Sequence, residues 1–407
     1  MNERLAFQVL LHAAIGRGVG VVVLAAACGD GSSGSDGGSA GATVGGGGGS
    51  GGSGAGAVTG GAGGSSSDGA GGLGGDVAGV GGAGGAPGQE DVERCFFVGD
   101  AACPTLAGAP RAFTCTAEGE KILAWLSGPV VDEVDGSSCC YQVDVSAPDP
   151  SCGGLGRPFM VDGSARVARA LARTNQGWIE ALDPRVVGLG AETRRVLARQ
   201  WASDAAYEHA SVASFGKLAL ELLAFGAPAD LIDWAHRAAI DEVRHARASF
   251  ALASAYGGVE LAPGALEVGG LALATSLEEL AAAAAREGCC GETGAAMVAF
   301  VQAEAAEDPA VARVLRTIAD EESDHAALAF AVVAWAIRLG GEPVRRAVEG
   351  AITEHEGVLV GALGASDPDE PVDLRAHGRL SSREAARERL RALREIVRPS
   401  IDAVLAS

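Results

Sequence analysis

The sequence predicts a mainly α protein: a four-helix bundle with extra C-terminal helices, preceded by a small disulfide-rich module and a disordered Gly/Ser tether. Three observations carry that prediction. From about Ala165 onward, apolar residues recur at spacings of three and four, the period of an amphipathic helix. Six cysteines fall between Asp91 and Met160, where Pro and Gly punctuate short strand-like stretches. From Gly29 to about Gly88 the chain is almost entirely Gly, Ser and Ala.

Residues 1–28 have the layout of a targeting segment. Arg4 and Arg17 precede the apolar run VGVVVLAAAC, which is too short to span a bilayer and ends in small residues. LAAAC followed by glycine resembles a bacterial lipoprotein signal, with Leu24 one place earlier than the usual pattern. That resemblance implies Cys28 as the lipidation site and a protein exported to the cell envelope and lipid-anchored there, periplasmic or outer-membrane. The membrane would be met only through that anchor. Residues 29–90 have almost nothing apolar to bury against the entropy of ordering them, so a flexible tether is expected, with a mean span of about 40–45 Å. The formal charge of −21 excludes nucleic acid as a partner, because phosphate binding needs a cationic face.

Residues 91–160 form the cysteine-rich module. Cys95, Cys103, Cys115, Cys139, Cys140 and Cys152 are even in number and lack any Cys-x-x-Cys pair or histidine, which favours a disulfide framework over zinc. Their pairing is not readable. The module is either a scaffold or spacer, or a binding unit.

Four long helices are expected within residues 165–345. The first runs from about Glu192 to Phe225 and stops at Gly226-Ala227-Pro228. The second runs from about Ala229 to Tyr256 and stops at Gly257-Gly258. The third runs from about Ser276 to Glu307, before Asp308-Pro309. The fourth runs from about Ala310 to Leu339, before Gly340-Gly341. Short links make antiparallel hairpins of helices one and two and of helices three and four, while residues 257–275 are long enough to cross the bundle. Residues 346–407 supply further helices that cover it, the last beginning at the capping box Ser381-x-x-Glu384 and kinked by Pro399.

The chemistry lies in two echoing stretches, IDEVRHA and ADEESDHA. Glu242 and His245 fall inside the apolar stripe Leu231, Ala235, Ala238, Ser249 and Leu252, and Glu322 and His325 inside Val311, Leu315, Ile318, Ala329 and Val332. Glu208 and Glu292 occupy the stripes of the first and third helices. Counted from the turns, all six residues reach similar depth, whereas Glu221 and Glu304 sit too near a turn. Buried carboxylates in one layer repel unless neutralised, and two divalent cations would neutralise four. Four oxygen and two imidazole donors suit iron or manganese and leave open positions.

One Glu from each of two helices plus Glu-x-x-His from the other two resembles the ferritin-like superfamily, close in motif order to rubrerythrins and bacterioferritins. The resemblance implies two Fe ions (or Fe/Mn), with Glu208 and Glu292 as terminal ligands, Glu242 and Glu322 bridging, and His245 and His325 each completing one metal. It further implies that Asp241 and Glu321 hold the opposite imidazoles. A rubredoxin-type cysteine pair is missing, and a tether and module on every subunit disfavour a storage cage. The expected function is therefore an exported oxidoreductase acting on O2 or peroxide and an unknown substrate, of ferroxidase, peroxidase or oxygenase type. The alternative is a non-catalytic, metal-braced envelope lipoprotein that works as a binding module. Beside this pattern, His209 should lie off the seam as a surface or interface group. Gly288 and Gly291 call for close packing or a local bulge. Cys289 and Cys290 are either small buried thiols, a redox pair beside the metals, or a vicinal disulfide.

Overall fold

The computed structural model describes residues 90–98, 102–109, 120–131, 138–148, 155–157, 159–161, 164–173, 177–364 and 374–406. The targeting segment with Cys28, the tether, Cys115 and Cys152 lie outside them. The described chain is mainly helical, with a strand region at its N-terminal end carrying two disulfides.

That region is an antiparallel sheet of β1 (Glu90–Phe97), β2 (Glu120–Val131) and β3 (Ser138–Pro148), with β3 central. Adjacent residues on a strand point to opposite faces, so Cys139 and Cys140 take different partners. Cys140 bonds Cys95, its register neighbour on β1, and Cys139 bonds Cys103. Phe96, Trp125 and Tyr141 pack together on the sheet, with the Trp125 and Tyr141 rings edge to face at 4.9 Å. Two short strand pairs follow: β4 (Phe159–Val161) with β5 (Ser164–Arg166), and β6 (Ala170–Ala172) with the distant β7 (Leu261–Pro263).

Helix α1 is Ala191–Ala224 and α2 is Ala229–Gly257. Gly226, at φ +68°, turns the chain between them, and Gly258, at φ +75°, closes α2. Helix α3 covers residues 277–305 in three pieces, Leu277–Ala283, a π-helical stretch Ala284–Glu292, and Thr293–Ala305. Helix α4, Pro309–Gly340, starts with Pro309 in its first turn and Asp308 as N-cap, accepting from the amide of Ala310 at 2.9 Å. Helix α5 is Glu342–Gly364. Helix α6 covers residues 382–406 and opens with the capping box of Ser381 and Glu384. Its ladder widens into a π-helical turn at Leu393–Val397, just before Pro399 in the closing segment Arg398–Ala406.

Helix α1 packs along α2, α3 along α4, and α2 meets α4. The α2–α3 link runs the length of α1. It leaves α2 with the Leu261 amide bonded to Ser254 Oγ, and arrives with the Ala274 amide bonded to Glu221 Oε1 at the far end of α1. Alanines fill much of the interior, which lets the helices approach closely. Two apolar layers result. One gathers Trp201, Leu252 and Leu315 with their neighbours, and the other gathers Leu222, Leu280 and Val332. Along every one of the four helices, the predicted ligand residues fall between these layers.

Candidate metal centre

Each helix delivers its polar side chain because its apolar stripe is buried on both sides of that residue. Glu208 on α1, Glu242 and His245 on α2, Glu292 at the end of the π-helical stretch, and Glu322 and His325 on α4 are all buried to within 1% of full exclusion from solvent. The structure brings all six to one layer, but not with equal closeness. One donor atom each from Glu208, Glu242, His245 and Glu322 lie within 4.8 Å of one another. His245 Nδ1 is 3.8 Å from Glu208, 3.5 Å from Glu242 and 3.6 Å from Glu322. His325 Nδ1 is 3.2 Å from Glu242 and 3.3 Å from Glu322. Glu292 stands outside the compact group. Its Oε1 lies 3.2 Å from Arg157 Nε.

The outer nitrogens of both imidazoles face carboxylates from the opposite helix. His245 Nε2 is 2.7 Å from Glu321, and His325 Nε2 is 3.4 Å from Asp241. A carboxylate there holds the proton on Nε2, so that Nδ1, facing the interior, is the nitrogen that a metal would take in exchange for its proton. Arg244 ties these two carboxylates together on the outside, at 2.5 Å from Asp241 and 2.7 Å from Glu321.

Charge is unevenly tolerated in this layer. Burial, then the charge of Glu242, pushes the Glu208 carboxyl well above the usual range; burial and the charge of Glu322 do the same to Glu292. Burial opposes ionisation of Glu242 and Glu322 as well, yet the two imidazoles facing them outweigh it and lower both. Burial alone would lower the two histidines, but the surrounding carboxylates raise both well above 6.5.

The residues fit a metal ion. Both oxygens of Glu208 and of Glu242, Glu292 Oε1, Glu322 Oε1 and His245 Nδ1 are buried without a hydrogen-bond partner. Such atoms cost several kcal/mol apiece in principle unless something cationic takes them up, and a mixed carboxylate and imidazole set is a transition-metal donor set. Among the described residues, the other close group of potential ligands, Glu93 with Cys95 and Cys140, has its sulfurs committed to a disulfide.

Sequence reasoning missed the segment that seals the layer from outside α1. Gly156 sits so close that a Cβ there would come within 2.6 Å of Glu208 Oε2, and its φ of +75° suits only glycine. Arg157 follows, with its guanidinium 4.3 Å from the Phe215 ring centroid, while Phe215 in turn stands edge-on to His325 at 5.0 Å. No local pattern in the sequence marks these contacts, since they join residues 156 and 157 to α1 and α3. A small cleft, with about 20 Å³ of room for a water-sized molecule, reaches this side of the layer, lined by Lys217, Glu221, Glu287, Arg157, Phe215 and His325 among others.

Gly288 is held by close packing, because a Cβ there would fall 2.3 Å from that of Ala329, and the π-helical stretch is the bulge. Cys289 and Cys290 are free buried thiols; burial raises both, Cys290 to about 12, so neither is a reactive thiolate. His209 is half-buried beneath Trp178 rather than at the surface, at 5.1 Å between ring centroids, and burial lowers its pKa. Glu304 is exposed against Arg316. No protein family matches the chain, nor does any curated protein or solved structure.

Proposed function

We propose that this protein is a ferritin-like four-helix bundle holding two divalent first-row metal ions, iron or iron with manganese, and that it is an oxidoreductase acting on O2 or peroxide. The observation that carries the reading is the set of orphaned carboxylate oxygens and one orphaned imidazole nitrogen facing one another in a layer closed to water. Glu208, Glu242, His245 and Glu322 would hold one ion, and Glu292, Glu322, Glu242 and His325 the other. Bound there, the ions would supply one-electron steps toward a small oxidant.

The chain's own residues then have defined tasks. Asp241 and Glu321 fix the imidazole tautomers, Arg244 holds those two carboxylates in register, and the apolar layers exclude bulk water. The small cleft beside Phe215 and Arg157, which has His325 in its lining, would be the side from which a small oxidant approaches. The two disulfides fit an oxidising, extracytoplasmic compartment. No helix among the described residues is long and apolar enough to cross a membrane, so attachment would rest on a lipid at Cys28.

The test is anaerobic reconstitution of the purified chain with Fe(II), followed by air. The wild type should take up oxygen and gain near-UV absorption, and Glu242→Ala combined with Glu322→Ala should abolish both. Metal uptake without any turnover of oxygen or peroxide would leave a metal-braced binding protein instead.

A further inference from the structure

Arg157 enters the layer from outside the four long helices, on a backbone that is pinned. Its amide donates to Ser211 Oγ at 2.9 Å, the Ser211 hydroxyl donates back to its carbonyl at 3.1 Å, and the Leu155 amide donates to Asp204 at 3.2 Å. The side chain is held differently. Nε lies 3.2 Å from Glu292 Oε1 and Nη1 lies 3.7 Å from Glu287 Oε2. Neither Arg157 Nε nor Glu292 Oε1 has an aligned hydrogen-bond partner, so charge alone joins them. The guanidinium is therefore shared between two carboxylates, one sealed at 1% exposure and one at 27%, on the lining of a cleft that also includes His325.

We infer that Arg157 is a displaceable counter-cation: it neutralises Glu292 while the metal position beside it is empty, and moves to Glu287 when a divalent cation takes Glu292. The inference rests on the metal-pair reading above. Three considerations carry it. A buried carboxylate needs a proton or a cation to neutralise it, and Arg157 is the cation that the structure sets against Glu292. A guanidinium and a divalent ion on the same carboxylate repel strongly in a dry layer, so one must yield. And a nearby seat exists. Residues five apart stand roughly 140° round an α-helix from each other, whereas the π-helical stretch Ala284–Glu292, with its i to i+5 ladder, brings Glu287 and Glu292 to the same guanidinium. The bulge thus gives the arginine two places to rest. The consequence is ordered loading: a first cation in the compact Glu208, Glu242, His245, Glu322 group, then a weaker, exchangeable second one on the cleft side.

The experiment is an anaerobic titration of the metal-free full-length chain with Mn(II), reading bound ion by calorimetry and free ion by paramagnetic resonance. The wild type should show two steps at least about tenfold apart in affinity. Arg157→Gln should tighten the second step by about tenfold and leave the first alone, because the competing cation is gone. Glu287→Gln should do the opposite and weaken the second step, because the arginine has lost its alternative seat. A merely structural role for Arg157 would weaken binding in both variants. Two steps of equal affinity in the wild type, or a second step that Arg157→Gln leaves unchanged or weakens, or that Glu287→Gln fails to weaken, overturns the inference. A chain that binds no Mn(II) at all overturns the metal-centre reading itself.

Discussion

Glu208 and Glu292 occupy equivalent places in the sequence pattern, each on a helix that precedes a Glu-x-x-His helix, yet their surroundings differ. Helix α1 is regular through Glu208, and its carboxylate closes a compact group with Glu242, His245 and Glu322. Helix α3 widens into a π-helical stretch ending at Glu292, whose carboxylate faces a guanidinium. The outer partners differ in the same sense, since Glu321 holds His245 at 2.7 Å while Asp241 stands 3.4 Å from His325. One half is preorganised. The other is adjustable, and a charged side chain already fills part of the role a cation would take.

The largest effects should come from deleting Glu208 and Glu292, the two carboxylates proposed as terminal ligands. Glu208→Ala removes a donor from the compact group and should weaken the tighter metal step by more than the 10–100-fold typical of losing an outer partner. Glu292→Ala should remove the weaker step and spare the tighter one, as calorimetry with Mn(II) would show. Equal losses from both substitutions would mean that the halves are equivalent after all. The outer partners come next. Glu321→Gln should lower affinity by about 10–100-fold, and Asp241→Asn by clearly less, because a 3.4 Å contact is a weaker hydrogen bond than one of 2.7 Å.

Proton occupancy offers a third way to test the site. In the metal-free chain both imidazoles have pKa values raised well above 6.5, despite burial, by their carboxylate neighbours. Their contribution to stability is complete below the unfolded value of about 6.5 and is lost as pH rises through the folded values. Glu208 and Glu292, raised by burial first, act in the same direction from the carboxylate range upward, whereas the lowered Glu242 and Glu322 contribute above that range and lose their effect only in acid. Divalent ions would replace the protons. The Tm gap between metal-loaded and metal-free protein should therefore widen by a few degrees between about pH 6 and pH 9. A gap that stays constant across that interval would show that no proton leaves when metal enters.

What the sequence revealed follows from how far each signal reaches along the chain. The four helices and their six polar residues were legible because a stripe with period 3.6 is local, and a Glu or His inside it must face inward. Asp241 and Glu321 came from the family resemblance, in which the residue just before each bridging position often holds the opposite imidazole. The even cysteine count pointed to disulfides, but only the register of β1 on β3 and the alternation of Cys139 and Cys140 decide who bonds whom. Arg157 and Gly156 were not legible at all. They act on residues more than fifty positions away, through a turn that no periodicity encodes. Gly288 and Gly291 gave half a signal, enough to expect a bulge but not to foresee that it would bring Glu287 beside Glu292.

The smallest predicted effects compare the two backbones directly, through one glycine in each half. Gly216 lies within α1, where a methyl group would meet nothing within 4 Å. Gly216→Ala should therefore stabilise the fold by about 0.5–1 kcal/mol, by reducing the freedom of the unfolded chain. Gly288 lies in the π-helical stretch of α3, where the same methyl would meet the Ala329 Cβ at 2.3 Å. Gly288→Ala should destabilise by about 1–3 kcal/mol, because two helices must part to admit it. Urea unfolding of the metal-free protein measures both free of any ligand contribution. Opposite signs would establish that α3 is locked against α4 at its bulge while α1 is an ordinary helix. If Gly288→Ala proved neutral, the helices could separate at little cost, and the widened ladder would owe its place to the ligand at Glu292 rather than to packing.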